Sequence, residues 1–415
     1  MTNSNVIRRS SCRLCGGSDL ELVLALTPTP PANAFVPVSR LSDVQQTFPL
    51  DVFFCGDCGH VQLLDIIDPD ILFSDYVYVS GTSPVFVDHF RRYVEDILGE
   101  YGPRPGNLVL DIGSNDGTLL SFFKRAGMNV FGVDPAKKIA EEASRNGIET
   151  MVGFFDQAIA DELSGTKGLA SVITANNVFA HADDLVGITQ AVRSLLKPDG
   201  IFVIEFSYLA DVIANTLFDT IYHEHLSYHS VGPLRRFFSQ NGMEMIGAYR
   251  VDTHGGSLRG ICQLAEGPHE EDGSVADMIA EEQRRGLDKA ATFKNFAENI
   301  DTVKQQLRLH LDRLKSEGKS IAGYGAPAKA TTLMYHFGIG SDVIDFIVDD
   351  SHLKQGLYSP GMHIPVVPSL EIERRKPDNL LILAWNFADA IIANNLKFKE
   401  KGGQFVIPLP HVKIC

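Results

Sequence analysis

The sequence predicts an α/β protein that begins with a cysteine-rich module, and three features carry this prediction. Two Cys-x-x-Cys pairs lie within the first 60 residues. From Asn107, a buried strand, a glycine-rich turn and an amphipathic helix follow one another, and the same order returns from Ser320. This repetition is typical of a parallel sheet covered by helices, so we expect two Rossmann-like domains after the N-terminal module. We place the modules at residues 1–75, 76–270 and 271–415.

The composition is that of a globular protein and argues against two classes of partner. Of the 415 residues, 44% are hydrophobic and 21% are charged, which suits two or three folded domains. A net charge of -15 argues against a broad nucleic-acid surface. No apolar run is long enough to span a bilayer, and the N-terminus has no apolar signal segment. We therefore expect a cytoplasmic protein that is monomeric or associates weakly.

Four of the six cysteines form the pairs Cys12-x-x-Cys15 and Cys55-x-x-Cys58. Two thiolates spaced in this way can face one ion from a tight turn, and two such turns supply a tetrahedral set. The pairs are separated by 39 residues, which is longer than in a common zinc ribbon. Disulfides are the alternative, although a reducing compartment disfavours them. We predict a structural zinc ion bound by all four thiolates, with no open position for chemistry.

The segment that begins at Asn107 has the pattern of a nucleotide-cofactor site. The strand Leu108-Val-Leu-Asp-Ile leads into the turn Gly113-Ser-Asn-Asp-Gly117, and a second strand ends at Asp134, 23 residues after Asp111. Ligands of open α/β sheets lie at the carboxyl ends of the strands, where an acid can accept hydrogen bonds from ribose hydroxyls. The spacing differs from the Gly-x-Gly-x-x-Gly dinucleotide fingerprint, and a simple glycine turn is the alternative.

The pattern instead resembles motif I of the S-adenosylmethionine (SAM)-dependent methyltransferases, with Asp134 in place of their ribose-binding acid. A third strand ends near Asn176, where the edge of the cofactor would lie. The predicted cofactor residues are Asp111, Gly113, Asn115, Gly117, Asp134, Asn176 and Tyr78.

The stretch 218–229 contains three histidines, two tyrosines and a glutamate, and histidine clusters usually serve protons or metals. His223, His225 and His229 could be a partial metal-ligand set, or they could simply pack. The zincin pattern His-Glu-x-x-His is absent, because Ser227 stands where its second histidine is needed. Methylation of carbon requires a base beside an acidifying carbonyl and stabilisation of the enolate, whereas methylation of oxygen requires only a base. A cluster of this kind beside a methyl donor favours the first reaction.

Several segments resemble motifs of the sugar C-methyltransferases that act on 4-keto-deoxysugars attached to a nucleotide diphosphate. These segments are Asp75-Tyr-Val-Tyr-Val-Ser80, Asn176-Asn-Val-Phe-Ala-His181, Tyr222-His-Glu-His225 and Thr253-His-Gly-Gly-Ser-Leu-Arg259. The resemblance spans nearly the whole chain. It implies a zinc module, a SAM domain and a Rossmann-like C-terminal domain that helps to hold the nucleotide sugar.

The resemblance also implies five active-site positions, namely Tyr76, His181, Tyr222, Glu224 and His225. His225 would take the proton from C-3 of the sugar, Tyr222 and Glu224 would orient the base and the substrate, and Tyr76 would close the site. Tyr76 and Tyr78 alternate as aromatic residues do in strands, so packing is an alternative for both. We expect Tyr78 in the wall of the cofactor pocket.

The last part of the chain predicts a long helix and a second glycine-rich loop. Within residues 270–317, one helical face consists of Phe293, Phe296, Ile300, Val303 and Leu307. The loop Gly323-x-Gly325-x-x-Ala328 suggests a dinucleotide, but an NAD-dependent oxidoreductase would be an unusual companion of a SAM fold.

We expect this second loop to hold the diphosphate of the sugar nucleotide. The predicted substrate residues are Gly323, Tyr324, Gly325, Lys329 and His254. Lys329 could equally be solvated, and His254 lies in a segment that could be only a turn. Trp385 follows a later strand, where it could wall the same pocket or simply pack.

The predicted function is therefore SAM-dependent methylation of C-3 in a nucleotide-linked 4-keto-deoxysugar. An O-methyltransferase and a zinc-bearing scaffold protein with a methyltransferase fold are the alternatives. A methoxy group in the product would identify the first alternative, and an absence of SAM binding would identify the second.

Overall fold

The computed structural model describes residues 6–73, 84–253 and 255–415. Three residues of the predicted sites, Tyr76, Tyr78 and His254, lie outside the described residues. Across the described ranges, no helix combines the length and the apolar character that a membrane crossing requires.

The N-terminal module consists mainly of short antiparallel strands. Its elements are β1 (Val6–Arg8), β2 (Leu20–Thr29), β3 (Phe48–Cys55), β4 (Val61–Leu63), β5 (Asp65–Ile67) and α1 (Pro69–Phe73). Strands β2, β3 and β4 pair antiparallel in sequence order, and β1 pairs with β5. The cysteine pairs flank the ends of β2 and β3, so the chain reversals around this sheet bring them together.

The middle of the chain forms a seven-stranded sheet with helices on both faces. Its elements are α2 (Pro84–Tyr101), β6 (Leu108–Ile112), α3 (Thr118–Arg125), β7 (Asn129–Asp134), α4 (Lys137–Arg145), β8 (Thr150–Val152), α5 (Gln157–Lys167), β9 (Ala170–Asn176), α6 (Leu185–Leu195), β10 (Leu196–Ser207), α7 (Leu209–Ala214), β11 (Ser227–Tyr228), α8 (Val231–Gln240), β12 (Met243–Val251) and β13 (Ser257–Leu264). The sheet order is β12-β13-β10-β9-β6-β7-β8, parallel from β10 to β8 and antiparallel at β13. The carboxyl ends of β6, β7 and β9 therefore lie side by side, as a cofactor site at this edge requires.

Alternating strand residues explain why this sheet is covered on both faces. Val109, Val172 and Val203 are buried on the face that carries Tyr93 of α2 and Phe123 of α3. The intervening residues of the same strands face the opposite way and join the main core, among them Leu110, Ile173 and Phe202. Strands that are buried on both faces are typical of parallel sheets.

The C-terminal part contains a second, six-stranded sheet. Its elements are α9 (Ser274–Arg284), α10 (Ala290–Ser316), β14 (Ile321–Tyr324), α11 (Lys329–Phe337), β15 (Ile347–Val348), β16 (Val366–Val367), α12 (Glu371–Arg375), β17 (Asn379–Ile382), α13 (Ala388–Asn394), α14 (Leu396–Glu400), β18 (Gln404–Ile407) and β19 (Lys413–Ile414). The order is β16-β15-β14-β17-β18-β19, and only the β18–β19 pair is antiparallel.

The long helix that leads into this domain is interrupted once. Gly286 has a φ of 70°, in the left-handed region, and it lies in the break between α9 and α10. The predicted apolar face of α10, from Phe293 to Leu307, is buried. Phe293 packs against Phe54 of β3 with ring centroids 5.5 Å apart, so α10 covers the N-terminal module.

Strand β11 belongs to the N-terminal sheet although it lies in the middle of the chain. It pairs antiparallel with β4, and the Leu63 amide donates a hydrogen bond to the Leu226 carbonyl at 2.9 Å. The Leu226 amide in turn donates to the Ala180 carbonyl, just beyond β9, at 2.9 Å. The segment that follows His225 is therefore fixed where the N-terminal sheet meets the end of the central sheet.

Candidate active site and metal centre

The four predicted metal ligands converge on one point. The thiol sulfurs of Cys12, Cys15, Cys55 and Cys58 all lie within 4.8 Å of one another. The Sγ–Sγ distances are 3.7 Å for Cys12–Cys58 and 3.6 Å for Cys15–Cys55. These are too long for a disulfide bond of about 2.05 Å. They match the separation of about 3.8 Å between thiolates that surround zinc tetrahedrally at about 2.3 Å.

The backbone near the cysteines has the shape that a metal knuckle needs. The Gly16 amide donates to the Cys12 carbonyl at 3.0 Å, and the Gly59 amide donates to the Cys55 carbonyl at 2.8 Å. Both glycines have a positive φ, 73° and 81°, which other residues adopt at a cost. The chain thus folds back immediately after each pair, and the donor set fits a structural zinc ion.

The predicted cofactor loop connects β6 to α3 and is fixed by the acid at the end of β7. Asp134 accepts hydrogen bonds from the Asn115 amide through Oδ2 and from the Ala136 amide through Oδ1, both at 2.8 Å. Gly113 has a φ of 70°, and a Cβ atom at this position would lie 2.3 Å from Val178 Cγ2. The loop therefore requires glycine for its conformation and for its close approach to the segment after β9.

Two further polar side chains lie along the same sheet edge. Asp111 Oδ1 accepts a hydrogen bond from Thr174 Oγ1 at 2.6 Å, and burial raises the pKa of Asp111 to about 7. The side-chain oxygen and nitrogen of Asn176 are buried, with the Tyr93 hydroxyl as a neighbour. A polar ligand at this edge would satisfy the amide, since buried polar groups are normally paired. Together with Gly113 and Asp134, these residues fit a SAM-binding edge.

His225 lies in a turn whose geometry orients its imidazole ring. The His225 amide donates to the Tyr222 carbonyl at 2.8 Å, which closes the turn. The ring nitrogen Nδ1 lies 2.6 Å from the Thr220 carbonyl oxygen. A carbonyl oxygen only accepts, so Nδ1 must carry the hydrogen, and in the neutral ring Nε2 holds the lone pair. The structure thus fixes the tautomer that a base acting through Nε2 requires.

Two other predicted site residues surround this ring. The ring centroid of Tyr222 lies 4.1 Å from that of His225, and the ring centroid of His181 lies 4.9 Å away. Burial, with a smaller contribution from the neighbouring His225, lowers the pKa of His181 well below its ordinary value. His181 is therefore neutral near pH 7 and does not place a positive charge beside His225.

Glu224 is buried and is contacted by a residue that sequence analysis did not identify. Asn33, in the N-terminal module, donates a hydrogen bond from Nδ2 to Glu224 Oε1 at 3.1 Å. Glu224 is only 4% exposed, and burial raises the pKa of its carboxyl group to about 7. The sequence around Asn33 does not identify a partner 191 residues away. The N-terminal module therefore reaches into the predicted active site.

The raised pKa of Glu224 predicts a stability change that depends on pH. Between pH 4.5 and about 7 the unfolded chain loses the carboxyl proton of Glu224, while the folded protein keeps it. The free energy of unfolding therefore falls as pH rises through this range, and it stays lower above pH 7. Replacing Glu224 with Gln removes this loss and is expected to stabilise the protein at pH 8 by up to about 3 kcal/mol. Little change is expected at pH 4.5. Denaturant unfolding at both pH values measures the difference, and the exposed Glu142→Gln variant is the control. An equal effect of Glu224→Gln at the two pH values would contradict the prediction.

The other two histidines of the cluster are packed in the interior. Nε2 of His223 lies 3.2 Å from the Phe48 carbonyl oxygen, and Nε2 of His229 lies 3.3 Å from the Phe179 carbonyl oxygen. Burial lowers the pKa of each to about 4. Among the described residues the four cysteines are the one group that could hold a metal ion, so these histidines do not form a second centre.

The predicted substrate loop of the C-terminal domain is closed by its own acid. Asp349 accepts hydrogen bonds from the Ala326 amide at 2.6 Å and from the Ser351 amide at 2.8 Å, in the same arrangement as around Asp134. A Cβ atom at Gly325 would lie 2.4 Å from the Ala384 Cβ atom, and one at Gly323 would lie 2.9 Å from a side-chain carbon of the next strand end. Packing against the neighbouring strand thus explains both glycines, and the adjacent Tyr324 is buried.

Lys329 faces the segment before His225 rather than the glycine loop. Its ammonium nitrogen lies 3.7 Å from Asp219 Oδ2 and 4.0 Å from the centre of the Trp385 ring. Trp385 Nε1 donates to the same carboxylate oxygen at 2.6 Å. The sequence pattern that suggested a phosphate contact did not indicate this partner, because Asp219 lies in another domain.

Comparisons with known proteins match successive parts of the chain to three family models. These are "Putative zinc binding domain" over residues 12–73, "Methyltransferase domain" over 87–247 and "C-methyltransferase C-terminal domain" over 252–410. They confirm the predicted fold class, with its N-terminal zinc module and SAM methyltransferase domain, and the predicted cofactors, SAM and a structural zinc ion.

Individual proteins resemble the chain to different extents. The ubiquinone biosynthesis O-methyltransferase of Ralstonia nicotianae is 30% identical over 107 residues, 25% of this chain and 45% of that protein. Among solved structures, magnesium protoporphyrin IX methyltransferase (ChlM) from Synechocystis PCC 6803 with bound SAH has a TM-score of 0.34 and 19% identity, covering 46% of this chain and 90% of its own. The C-methyltransferase NovU of Streptomyces niveus is 36% identical over 403 residues, which is 97% of this chain and 96% of that protein. With this match along nearly its whole length, the chain belongs to the C-methyltransferase family.

Proposed function

We propose that this protein transfers the methyl group of SAM to C-3 of a 4-keto-deoxysugar that is carried by a nucleotide diphosphate. The hydrogen bond from His225 Nδ1 to the Thr220 carbonyl carries the proposal, because it leaves Nε2 as the proton acceptor of a neutral ring. The methyl group itself, bound to a positively charged sulfur, is supplied by SAM.

His225 Nε2 takes the C-3 proton, and the electron pair left on C-3 is delocalised onto the 4-keto oxygen. C-3 then attacks the methyl carbon, and the electron pair of the broken S–CH3 bond remains on sulfur. Glu224, with a pKa of about 7, is partly protonated at neutral pH and can donate a hydrogen bond to the developing enolate oxygen. Tyr222 and His181 line the same space as the base. Roles for Tyr76 and His254 stay predictions.

The cofactor is assigned to the carboxyl ends of β6, β7 and β9. Two acids and two glycines of this edge, with the left-handed Asn115 between them, surround the place where the ribose and the methionine portion would lie. Asn176 offers a buried side-chain amide at the same edge. The proposed contacts are Asp111, Gly113, Asn115, Gly117, Asp134 and Asn176.

The diphosphate is assigned to the carboxyl end of β14, beyond the buried Gly323, Tyr324 and Gly325, which pack against the neighbouring strand. Since the ammonium of Lys329 faces Asp219, Lys354 is the better source of positive charge. Lys354 Nζ donates to the Ala326 carbonyl at 2.8 Å, which takes one of its three donors. It also lies 5.4 Å from the ring centre of Phe35, two residues from Asn33. Lys354 thus lies between the glycine loop and the loop of the N-terminal module that carries Asn33.

The test is a binding screen of nucleoside diphosphates, followed by incubation of the matching 4-keto-6-deoxysugar nucleotide with SAM. We expect a product that carries one additional methyl group on carbon, identified by carbon NMR. Lys354→Met is expected to raise the KM for the sugar nucleotide about 10-fold, as the loss of one charge-assisted hydrogen bond would. SAM affinity should not change, and Lys319→Met, which removes an exposed lysine of the same domain, is the control. A methoxy product would identify an O-methyltransferase, and a failure to bind SAM would identify a scaffold protein.

A further inference from the structure

The segment immediately before the catalytic turn is bound by the C-terminal domain at three of its four residues. The Phe218 ring stacks on the Phe337 ring of α11, with centroids 4.9 Å apart and planes 28° apart. Asp219 accepts the hydrogen bond from Trp385, as described above. The Ile221 carbonyl accepts a hydrogen bond from Thr332 Oγ1, also on α11, at 2.8 Å. The remaining residue of this segment is Thr220.

Burying Asp219 at this contact is costly in free energy. Its side chain is fully buried, Oδ2 lies 3.7 Å from the Lys329 ammonium nitrogen, and Oδ1 has no hydrogen-bond partner among the described residues. A buried carboxylate destabilises a protein unless it is paired, and a buried ion pair often contributes less than well-packed apolar residues would. An apolar residue at this position could join the two domains at a lower cost. The polar contact between Asp219 and Trp385 therefore indicates that this position serves to orient the segment more than to stabilise the protein.

Thr220 supplies the carbonyl oxygen that accepts the Nδ1 hydrogen of His225. The peptide unit is planar, so this carbonyl turns together with the plane that joins Thr220 to Ile221, and contacts on both sides of the plane restrict that rotation. Asp219 is held on one side of this peptide and the Ile221 carbonyl on the other, in both cases by the C-terminal domain. The Thr220 side chain is anchored locally, because its Oγ1 donates a hydrogen bond to the Leu217 carbonyl at 2.6 Å.

We propose that Asp219, Trp385 and Thr332 are positioning residues for the methyl transfer, acting through the Thr220 carbonyl to fix the tautomer and the orientation of His225. This inference rests on the proposed role of His225 as the base. It assigns to the C-terminal domain a part in the chemistry that is separate from any contact with the nucleotide. Groups that orient a catalytic imidazole through its second nitrogen have large effects on rate without touching the substrate.

Two conservative variants test the proposal. Trp385→Phe keeps an aromatic ring under Lys329 but removes the donor to Asp219, and Thr332→Val keeps the side-chain volume but removes the donor to Ile221. Each is expected to lower kcat about 10- to 100-fold, as small misplacements of a catalytic group do. The KM for the sugar nucleotide and the Kd for SAM should stay at the wild-type values. Lys319→Met, which breaks an exposed ion pair in the same domain, should leave kcat unchanged.

A second measurement requires no substrate. In nitrogen-15 NMR spectra, the wild-type His225 ring should show a protonated Nδ1 and an unprotonated Nε2, with the resonances assigned by their absence in His225→Asn. Each variant should show a fraction of the opposite tautomer. Wild-type kcat and an unchanged tautomer in both variants would overturn the proposal, as would a loss of SAM affinity equal to the loss of kcat. If the wild-type protein does not methylate the keto-sugar, the proposed function fails, and the NMR comparison still decides whether these residues position His225.

Discussion

Replacing His225 with Asn is expected to reduce methyl transfer by orders of magnitude while SAM binding stays intact. Asparagine can donate a hydrogen bond from this position, but it has no basic nitrogen to accept the C-3 proton. A positioned general base contributes about 10²- to 10⁴-fold to a rate, so the residual activity should fall in that range below the wild type. Product formation measures the first effect, and titration calorimetry with SAM measures the second.

Proton exchange separates the base assignment from other causes of inactivity. In heavy water and with S-adenosylhomocysteine bound, the wild-type protein should exchange the C-3 proton of the keto-sugar, and His225→Asn should not. His352→Asn, which changes an exposed histidine of the C-terminal domain, is the control and should behave as the wild type. Full turnover by His225→Asn would show that another group removes the proton.

Removing the zinc ion is expected to stop methyl transfer, although a four-thiolate site has no open position for chemistry. Arg13, between the first two cysteines, donates from Nη1 to the Leu226 carbonyl at 3.3 Å and from Nε to Asp183 at 2.9 Å. Strand β4, which follows the second cysteine pair, pairs with β11. The binding free energy of structural zinc is of order 10 kcal/mol, so without the ion the knuckles and these contacts should be lost together.

Cys55→Ser, or treatment with a chelator under mild denaturation, tests this expectation. The zinc content, the midpoint temperature of thermal unfolding and the rate of methyl transfer should all fall. The control variant Cys415→Ser, outside the cluster, should keep the wild-type zinc content and activity. A zinc-free protein that retains wild-type turnover would show that the module is dispensable for the site.

The parts of the site that depend on short sequence spacing could be predicted from the sequence. The cysteine pairs and the loop between Asp111 and Asp134 are local patterns, and the fold brings each set together as predicted. Neither the contact of Asn33 with Glu224 nor that of Trp385 with Asp219 could be predicted, because these partners lie 191 and 166 residues apart and depend on how the domains pack.

Lys329 shows the limit of a local pattern. A lysine at the start of a helix after a glycine loop favours a phosphate contact, yet the fold places a buried carboxylate beside it. Strand β11 shows a second limit, since its two residues have no periodicity to detect. Its pairing with β4 follows from the tertiary arrangement alone.

The contacts of the 218–221 segment have a consequence for exchanging parts between relatives. In a chimaera whose C-terminal domain comes from another C-methyltransferase, residues 218–221 would contact a different surface of helix α11 and a tryptophan in a different position. In such a hybrid the cofactor edge would be unchanged. The Thr220 carbonyl, which accepts the hydrogen bond from His225 Nδ1, would point in a different direction. An exchange of the C-terminal domain should therefore include residues 218–221, which that domain contacts.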